Sequence, residues 1–221
     1  MAALHEGGGR FGLISALSAE LGSWAGVGEV VSRAGGIEVR RSEEDGLAVF
    51  TCVAGVGKVS AARGAEALLQ AGARGALLVV GTCGSLSRSL GVGQLVHCER
   101  ALQADLGLEG GHEVNPDPGI LKAWEAVVRG PRASYLTADR AVMSPWRRLS
   151  ARKMCSGPCV AEMETAAVGA VSEAWGVPWA ALRAVTDRAG WGSHKAFKKR
   201  YPVEAGRAAD TVRGLLAQMR V

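Results

Sequence analysis

Residues 76–80 read Ala-Leu-Leu-Val-Val, and Gly81-Thr82-Cys83-Gly84-Ser85 ends the run. Drawn out as a strand, this segment carries apolar side chains on both faces, so both faces need a cover. Other short runs share that character: 11–17 (Phe-Gly-Leu-Ile-Ser-Ala-Leu), 47–53 (Leu-Ala-Val-Phe-Thr-Cys-Val), 94–98 (Gln-Leu-Val-His-Cys) and 177–185. Residues 133–137 and 158–162 add two more strand candidates. Between them lie helical patterns. One has small and apolar residues at 59, 62, 65, 68 and 69, one spans about 163–175 and stops before Gly176, and the last covers about 203–219. Ser18 reads as the N-cap of a short helix carrying Glu20. Strands alternating with helices predict a mainly parallel α/β sheet covered by helices.

The pattern breaks at 100–120, where Gly110-Gly111 and Asn115-Pro-Asp-Pro118 fall, and residues 138–157 read as an irregular basic excursion. No repeat or linker interrupts the chain, which predicts one domain over 11–221 behind a flexible 1–10. Thirty-one glycines in 221 residues, about twice the usual share, predict many tight loops. A formal charge of +5 leaves a nucleic-acid partner open. Lysine and arginine are spread thinly, however, and the one dense run (Lys195, Lys198, Lys199, Arg200) reads as a solvated helix face. No helix-turn-helix, zinc-finger or aromatic stacking motif accompanies the charge, so no nucleic-acid partner is expected. The start lacks the basic-then-apolar order of a signal peptide, and no stretch reaches the ~18 apolar residues of a membrane span. Five cysteines are an odd number, and Cys155-x3-Cys159 is half a zinc site with no second pair. Free thiols, no metal and a cytoplasmic location are expected.

Ligands of open α/β sheets bind at the carboxyl ends of strands. Four strand ends here carry polar groups: Glu20 after the first, Gly81-Thr82, Glu162-Met163-Glu164, and Arg183-x3-Asp187. Each has a plain structural reading: Glu164 can favour a helix start through the macrodipole, and Asp187 can cap a loop. Together they predict a convergent site with three carboxylates (Glu20, Glu164, Asp187), one hydroxyl and one guanidinium.

Their order resembles the signature of the nucleoside phosphorylase/nucleosidase superfamily. The segments that carry the resemblance are Glu162-Met-Glu-Thr-Ala-Ala followed by Arg183-Ala-Val-Thr-Asp187, Gly55-Val-Gly-Lys-Val-Ser-Ala-Ala62, and Gly81-Thr-Cys-Gly84 followed by Leu90-Gly-Val-Gly93. Gln94 stands where the family loop has aspartate. Gly12-Leu-Ile-Ser-Ala-Leu-Ser-Ala-Glu20 is similar to the start of 5′-methylthioadenosine/S-adenosylhomocysteine nucleosidases. The resemblance implies a three-layer αβα fold around a mixed, partly closed sheet, and cleavage of the N-ribosidic bond of a 5′-modified adenosine-type nucleoside. Breaking that bond leaves an oxocarbenium-like sugar and an anionic purine, so the base needs a proton and the sugar a nucleophile.

By resemblance, Asp187 is the acid at purine N7 and Glu20 activates the attacking water. Glu164 binds the ribose 2′- and 3′-hydroxyls, Met163 packs on the sugar, Thr82 offers a hydroxyl and Arg183 orients the carboxylates. Glu162 is a weaker candidate, because strand alternation points it away. Family phosphorylases carry an arginine where this chain has Val79 and another near Glu20, so water is the expected nucleophile. Arg88 and Arg140 leave phosphorolysis as an alternative. The position of the usual base-stacking aromatic is Ala141, beside Val142, which counts among the substrate-binding candidates; Trp146 is an alternative ring. Gln103-Ala-Asp-Leu-Gly107 resembles futalosine hydrolases, a second alternative, but those tend to lack an aspartate at the position of Asp187. A nucleoside-binding protein without catalysis is the third. Segment 191–201 is either a lid or a basic surface turn, with the surface turn preferred. A homo-oligomer, a dimer first, is implied, with the loop at 101–115 reaching a neighbour's pocket. No cofactor is implied.

Overall fold

The computed structural model describes residues 9–107, 112–190 and 192–216. Most of the expected flexible start, the Gly110-Gly111 turn, Trp191 and the end of the last expected helix lie outside these residues. The strands are β1 (Arg10–Ser15), β2 (Glu29–Ser32), β3 (Val39–Glu44), β4 (Leu47–Val53), β5 (Ala76–Ser85), β6 (Leu95–Gln103), β7 (Glu113–Val114), β8 (Arg132–Thr137), β9 (Cys159–Glu162) and β10 (Trp179–Asp187). The helices are α1 (Lys58–Ala71), α2 (Pro118–Val127), α3 (Pro145–Arg152), α4 (Thr165–Trp175), α5 (Ser193–Glu204) and α6 (Arg207–Leu216), with a 3₁₀ stretch at Ser18–Trp24.

The sheet is mixed rather than mainly parallel. β5 lies parallel to β1 and β10 and antiparallel to β9; β8 runs parallel to β6 and β9; β6 and β10 are antiparallel. These pairings close β5, β10, β6, β8 and β9 into a ring, while β1, β4, β3 and β2 continue outward from β5 as an open wing. The partly closed sheet that the family resemblance implied is therefore present. Alternate side chains of β5 serve opposite layers. Leu77 and Val79 pack with Leu68 of α1 and Val168 of α4, whereas Leu78 and Val80 pack with Trp124 of α2 and Val212 of α6. Apolar surface on both sides of the sheet is what makes a three-layer sandwich the stable solution.

Several elements depart from the sequence reading. β2 and β3 form an outer hairpin whose charged residues, such as Arg40, Arg41, Glu43 and Glu44, conceal the strand pattern. α2 opens at the end of the stretch read as broken and α3 sits inside the one read as irregular, yet both open with the same signal. Asp117 accepts Ile120 N at 2.8 Å before Pro118, and Ser144 accepts Arg147 N at 3.3 Å before Pro145. A side-chain cap followed by proline at the first helical position is a helix start. Segment 193–204 is the helix α5 rather than a surface turn, with the basic run on its solvated face as expected, and the last helix, expected from about 203, starts at Arg207. Gly206 marks the break, and a Cβ there would stand 2.7 Å from Gly22 Cα. The cap of the 3₁₀ stretch is Leu17 rather than Ser18. All five cysteines are buried free thiols.

Two helical glycines separate packing from propensity. A Cβ on Gly169 of α4 would meet Val114 Cγ2 at 2.6 Å and Trp179 Cζ2 at 2.8 Å, whereas one on Gly214 of α6 would meet nothing within 4 Å. Alanine gains about 1 kcal/mol over glycine in a helix, and overpacking costs about 1–3 kcal/mol. Gly169→Ala should therefore lower the unfolding free energy and Gly214→Ala should raise it, the latter by up to about 1 kcal/mol, in urea unfolding followed by circular dichroism.

Candidate active site

The ends of β5, β9 and β10 and the 3₁₀ stretch after β1 surround a cavity of about 350 Å³. Its wall brings together Glu20, Thr82, Glu162, Met163, Glu164, Arg183, Asp187 and Val142, all of the candidates read from the sequence. Most of the remaining wall is apolar, from Ala16, Leu136, Ala161 and Ala189 among others.

Arg183 on β10 is 2% exposed and stands at the centre. Its Nη2 lies 2.9 Å from Glu162 Oε2 and 3.1 Å from Glu164 Oε2, and its Nη1 donates to Thr82 O at 2.9 Å. Burial works against its charge, but Glu162, Glu164 and Glu20 outweigh burial and hold it protonated.

Glu20 lies in the first turn of the 3₁₀ stretch. Its Oε1 accepts from Thr82 N at 3.0 Å and Thr82 Oγ1 at 2.8 Å, and its Oε2 from Leu17 N at 3.2 Å. Gly81 permits this approach: its φ is +149°, and a Cβ there would stand 3.0 Å from the Glu20 carboxyl carbon and 3.2 Å from Arg183 Nη1. Burial raises the Glu20 pKa against the opposing pull of Arg183 and Thr82. Burial likewise raises that of Glu164, with Arg183 opposing and Glu162 adding to it. Glu164 Oε1 accepts from Gly57 N at 3.1 Å, tying the start of α4 to the glycine turn before α1. Lys58 at that turn bridges to Asp105 at 2.5 Å and anchors the loop bearing Asp139 and Arg140.

Glu162 borders the cavity, but its carboxylate is committed elsewhere. Oε2 accepts from Glu164 N at 2.9 Å, Thr165 N at 2.8 Å and Thr165 Oγ1 at 2.8 Å, and Oε1 accepts from Thr137 Oγ1. It satisfies the free N–H groups at the start of α4. Asp187, at the end of β10, is 7% exposed. Its Oδ1 accepts from Ala189 N at 2.7 Å and its Oδ2 from Thr186 Oγ1 at 2.9 Å. Burial raises its pKa, and these hydrogen bonds offset only part of the rise.

The sequence reading missed the wall that α5 supplies. Ser193, His194 and Phe197 line the cavity, while Lys195, Lys198, Lys199 and Arg200 face outward. Among the described residues Phe197 is the one phenylalanine, tyrosine or tryptophan on that wall, and its spacing to Ser193 and Tyr201, one helical turn each way, was the available signal. Trp146 is 80% exposed and does not line the cavity, so it does not replace the absent ring at Ala141. Of the two spare arginines, Arg140 borders the cavity and Arg88 does not.

The model of the phosphorylase superfamily matches residues 10–217. The chain belongs to that superfamily. Within it, the chain is 26% identical to the 5′-methylthioadenosine/S-adenosylhomocysteine nucleosidase of Actinobacillus succinogenes, an alignment covering 95% of this chain and 99% of the relative. Among solved structures it resembles the Helicobacter pylori nucleosidase with 5′-methylthioadenosine in its active site, at a TM-score of 0.88, 19% identity and coverage of 96% and 100%. Futalosine hydrolase of the same organism superposes at a TM-score of 0.87, 20% identity and coverage of 95% and 97%. Both likenesses fix the superfamily fold and neither selects a substrate.

Asparagine can keep both contacts of Asp187. Its oxygen would accept from Ala189 N, and its amide would donate to Thr186 Oγ1 while that hydroxyl donates to Cys83 O, 3.2 Å away. Because the folded-state pKa of Asp187 is raised, its ionised form subtracts stability as pH rises through that value. Below about pH 4 both states hold the proton and the subtraction vanishes. Thermal unfolding of Asp187→Asn should therefore show a folded protein with a higher Tm than the parent at pH 7–8 and no advantage near pH 3–4.

Proposed function

We propose that this phosphorylase-superfamily chain is a purine nucleosidase that hydrolyses the N-ribosidic bond of a 5′-modified adenosine-type nucleoside. The observation that carries the reading is the Glu20 carboxylate, held by Thr82 and Leu17 inside the cavity it shares with Asp187. A carboxylate fixed there repels phosphate and is a base for water. The strand position where a family phosphorylase would hold an arginine is Val79, 1% exposed in the core. Arg140 is the cation on the wall that would favour phosphate if the reading were wrong.

In this reading Asp187 keeps its proton through burial and delivers it to the leaving purine, while Glu20 takes a proton from the attacking water. Glu164, held by Gly57 N and Arg183, accepts hydrogen bonds from the ribose hydroxyls, and Met163 covers the sugar. Thr82 fixes Glu20, and Arg183 balances the carboxylates so that Glu164 remains an acceptor. Val142 borders the base, with Phe197 on the facing helix. The names of the curated relatives support the methylthioadenosine and adenosylhomocysteine class. Residues 11–221 would act as one domain.

We favour a homodimer in the cytoplasm. Val56 and Met143 on the cavity wall and Val59 on α1 are 49%, 50% and 73% exposed, surface that a second copy would cover. Five free thiols suit a reducing compartment.

Incubation with 5′-methylthioadenosine, S-adenosylhomocysteine, adenosine, inosine and futalosine, with and without phosphate, is the test. Adenine should appear from the 5′-thio substrates at the same rate without phosphate. Asp187→Asn and Glu20→Gln should each lower kcat by about 10²- to 10⁴-fold. Base release that requires phosphate would overturn the water assignment and point to Arg140.

A further inference from the structure

We propose that Arg148 is a positioning residue for Asp187: from α3 it clasps the carbonyls that follow β5 and β10 and so keeps the Ala189 N–H on the carboxyl. The proposal rests on the reading of Asp187 as the acid. Arg148 does not line the cavity, and it lies in the stretch that the sequence presented as an irregular basic excursion. Its guanidinium nevertheless reaches four carbonyls. Nη1 donates to Ser85 O at 2.7 Å, to Ala189 O at 3.2 Å and to Arg188 O, and Nη2 donates to Leu86 O at 2.9 Å. Ser85 ends β5 and Leu86 follows it; Arg188 and Ala189 follow Asp187. The planar fork of arginine suits such multiple contacts in a way a lysine ammonium does not.

The turn it holds is strained. Ala189 has φ +36°, a conformation that costs a non-glycine residue about 1–2 kcal/mol and persists only where the surroundings impose it. Ala189 is also buried against Leu86 and Leu136, and its Cβ lies 2.9 Å from where a Cβ on Gly84 would stand. At the start of this turn Ala189 N donates to Asp187 Oδ1, 2.7 Å away. Arg148 bonds the carbonyl of Ala189 and the one before it, so it braces the peptides on both sides of the strained residue.

Around Asp187 stand Cys83 on β5, Arg148 on α3 and Ser193 on α5, and it shares the cavity with Glu20, Arg183 and His194. The charge of Arg148 and the Ala189 N–H both favour the ionised form. Losing the clasp removes both, so the acid keeps its proton to higher pH while becoming misaligned. A residue that merely stabilised the fold would change neither the pH profile nor kcat of the folded enzyme.

The experiment measures kcat, KM, Tm and the pH dependence of kcat/KM for the parent chain, Asp187→Asn, Arg148→Ala, Arg148→Lys and His194→Gln, with 5′-methylthioadenosine as substrate. His194→Gln removes the imidazole that shares the cavity wall with Asp187. Arg148→Ala should lower kcat by about 10- to 100-fold, leave KM within about threefold and move the basic limb of the profile upward. Arg148→Lys should show smaller changes in the same directions, and it decides by the same criteria if Arg148→Ala does not fold. An inactive Asp187→Asn beside folded Arg148 variants with parental kcat and basic limb would overturn this proposal alone. An active Asp187→Asn would overturn the acid assignment, and the proposal with it.

Discussion

Everything in the cavity is organised around one buried cation. Arg183 is buried, and the carboxylates of Glu162 and Glu164 at about 3 Å, with Glu20 beyond, are what keep a guanidinium tolerable there. The dependence is mutual, because three carboxylates brought this close would not all remain ionised without it. Removing one member of such a cluster leaves uncompensated charge in the interior, which typically costs about 3–5 kcal/mol. Arg183 therefore cannot drift from its neighbours, and neither can the strand ends that carry them.

The closed part of the sheet makes this cluster possible. Arg183 and Asp187 lie on β10, Thr82 on the neighbouring β5, and Glu162 at the end of β9, which pairs with the far end of β5. A flat sheet in the same strand order would spread these ends along an edge. Ring closure brings them around one volume, and the 3₁₀ turn after β1 adds Glu20 from the side. The raised pKa values of Glu20, Glu164 and Asp187 follow from that enclosure. They also mean that the same burial that suits proton transfer holds the native state below the stability that neutral side chains would give it.

The strand ends were legible in the sequence because both signals are local: a run apolar on both faces, then a short polar or glycine-rich group. Glu20, Thr82, Glu164, Arg183 and Asp187 all follow that rule. Other features depend on tertiary contacts that the local pattern does not carry. Glu162 was read as pointing away, yet it borders the cavity and satisfies the start of α4 while bonding Thr137 and Arg183. α3 was read as irregular basic chain, and 191–201 as a surface turn in preference to a lid, because apolar residues there are few and the faces are mostly wet. Even so, Asp117-Pro118 and Ser144-Pro145 did announce α2 and α3. Composition outweighed capping in the reading, whereas in the folded chain the cap satisfies N–H groups whatever the rest of the helix contains.

The parts of the cavity therefore divide by their rigidity. The carboxylates, Thr82 and Arg183 sit on strand ends and on the 3₁₀ turn after β1, locked by the sheet and by their mutual bonds. Another part of the wall, from Arg140 to Met143 and from Ser193 to Phe197, comes from a loop and from helix α5, which packs on β10. The loop depends on the Lys58 bridge through Asp105 and Asp139, and the turn leading to α5 depends on Arg148. Substitutions along this second set can alter what the cavity admits without moving the carboxylates, as Ala141 does by leaving space where a ring was expected. Arg148 and Lys58 join the two sets, and a change at either would reach the chemistry through geometry rather than through contact.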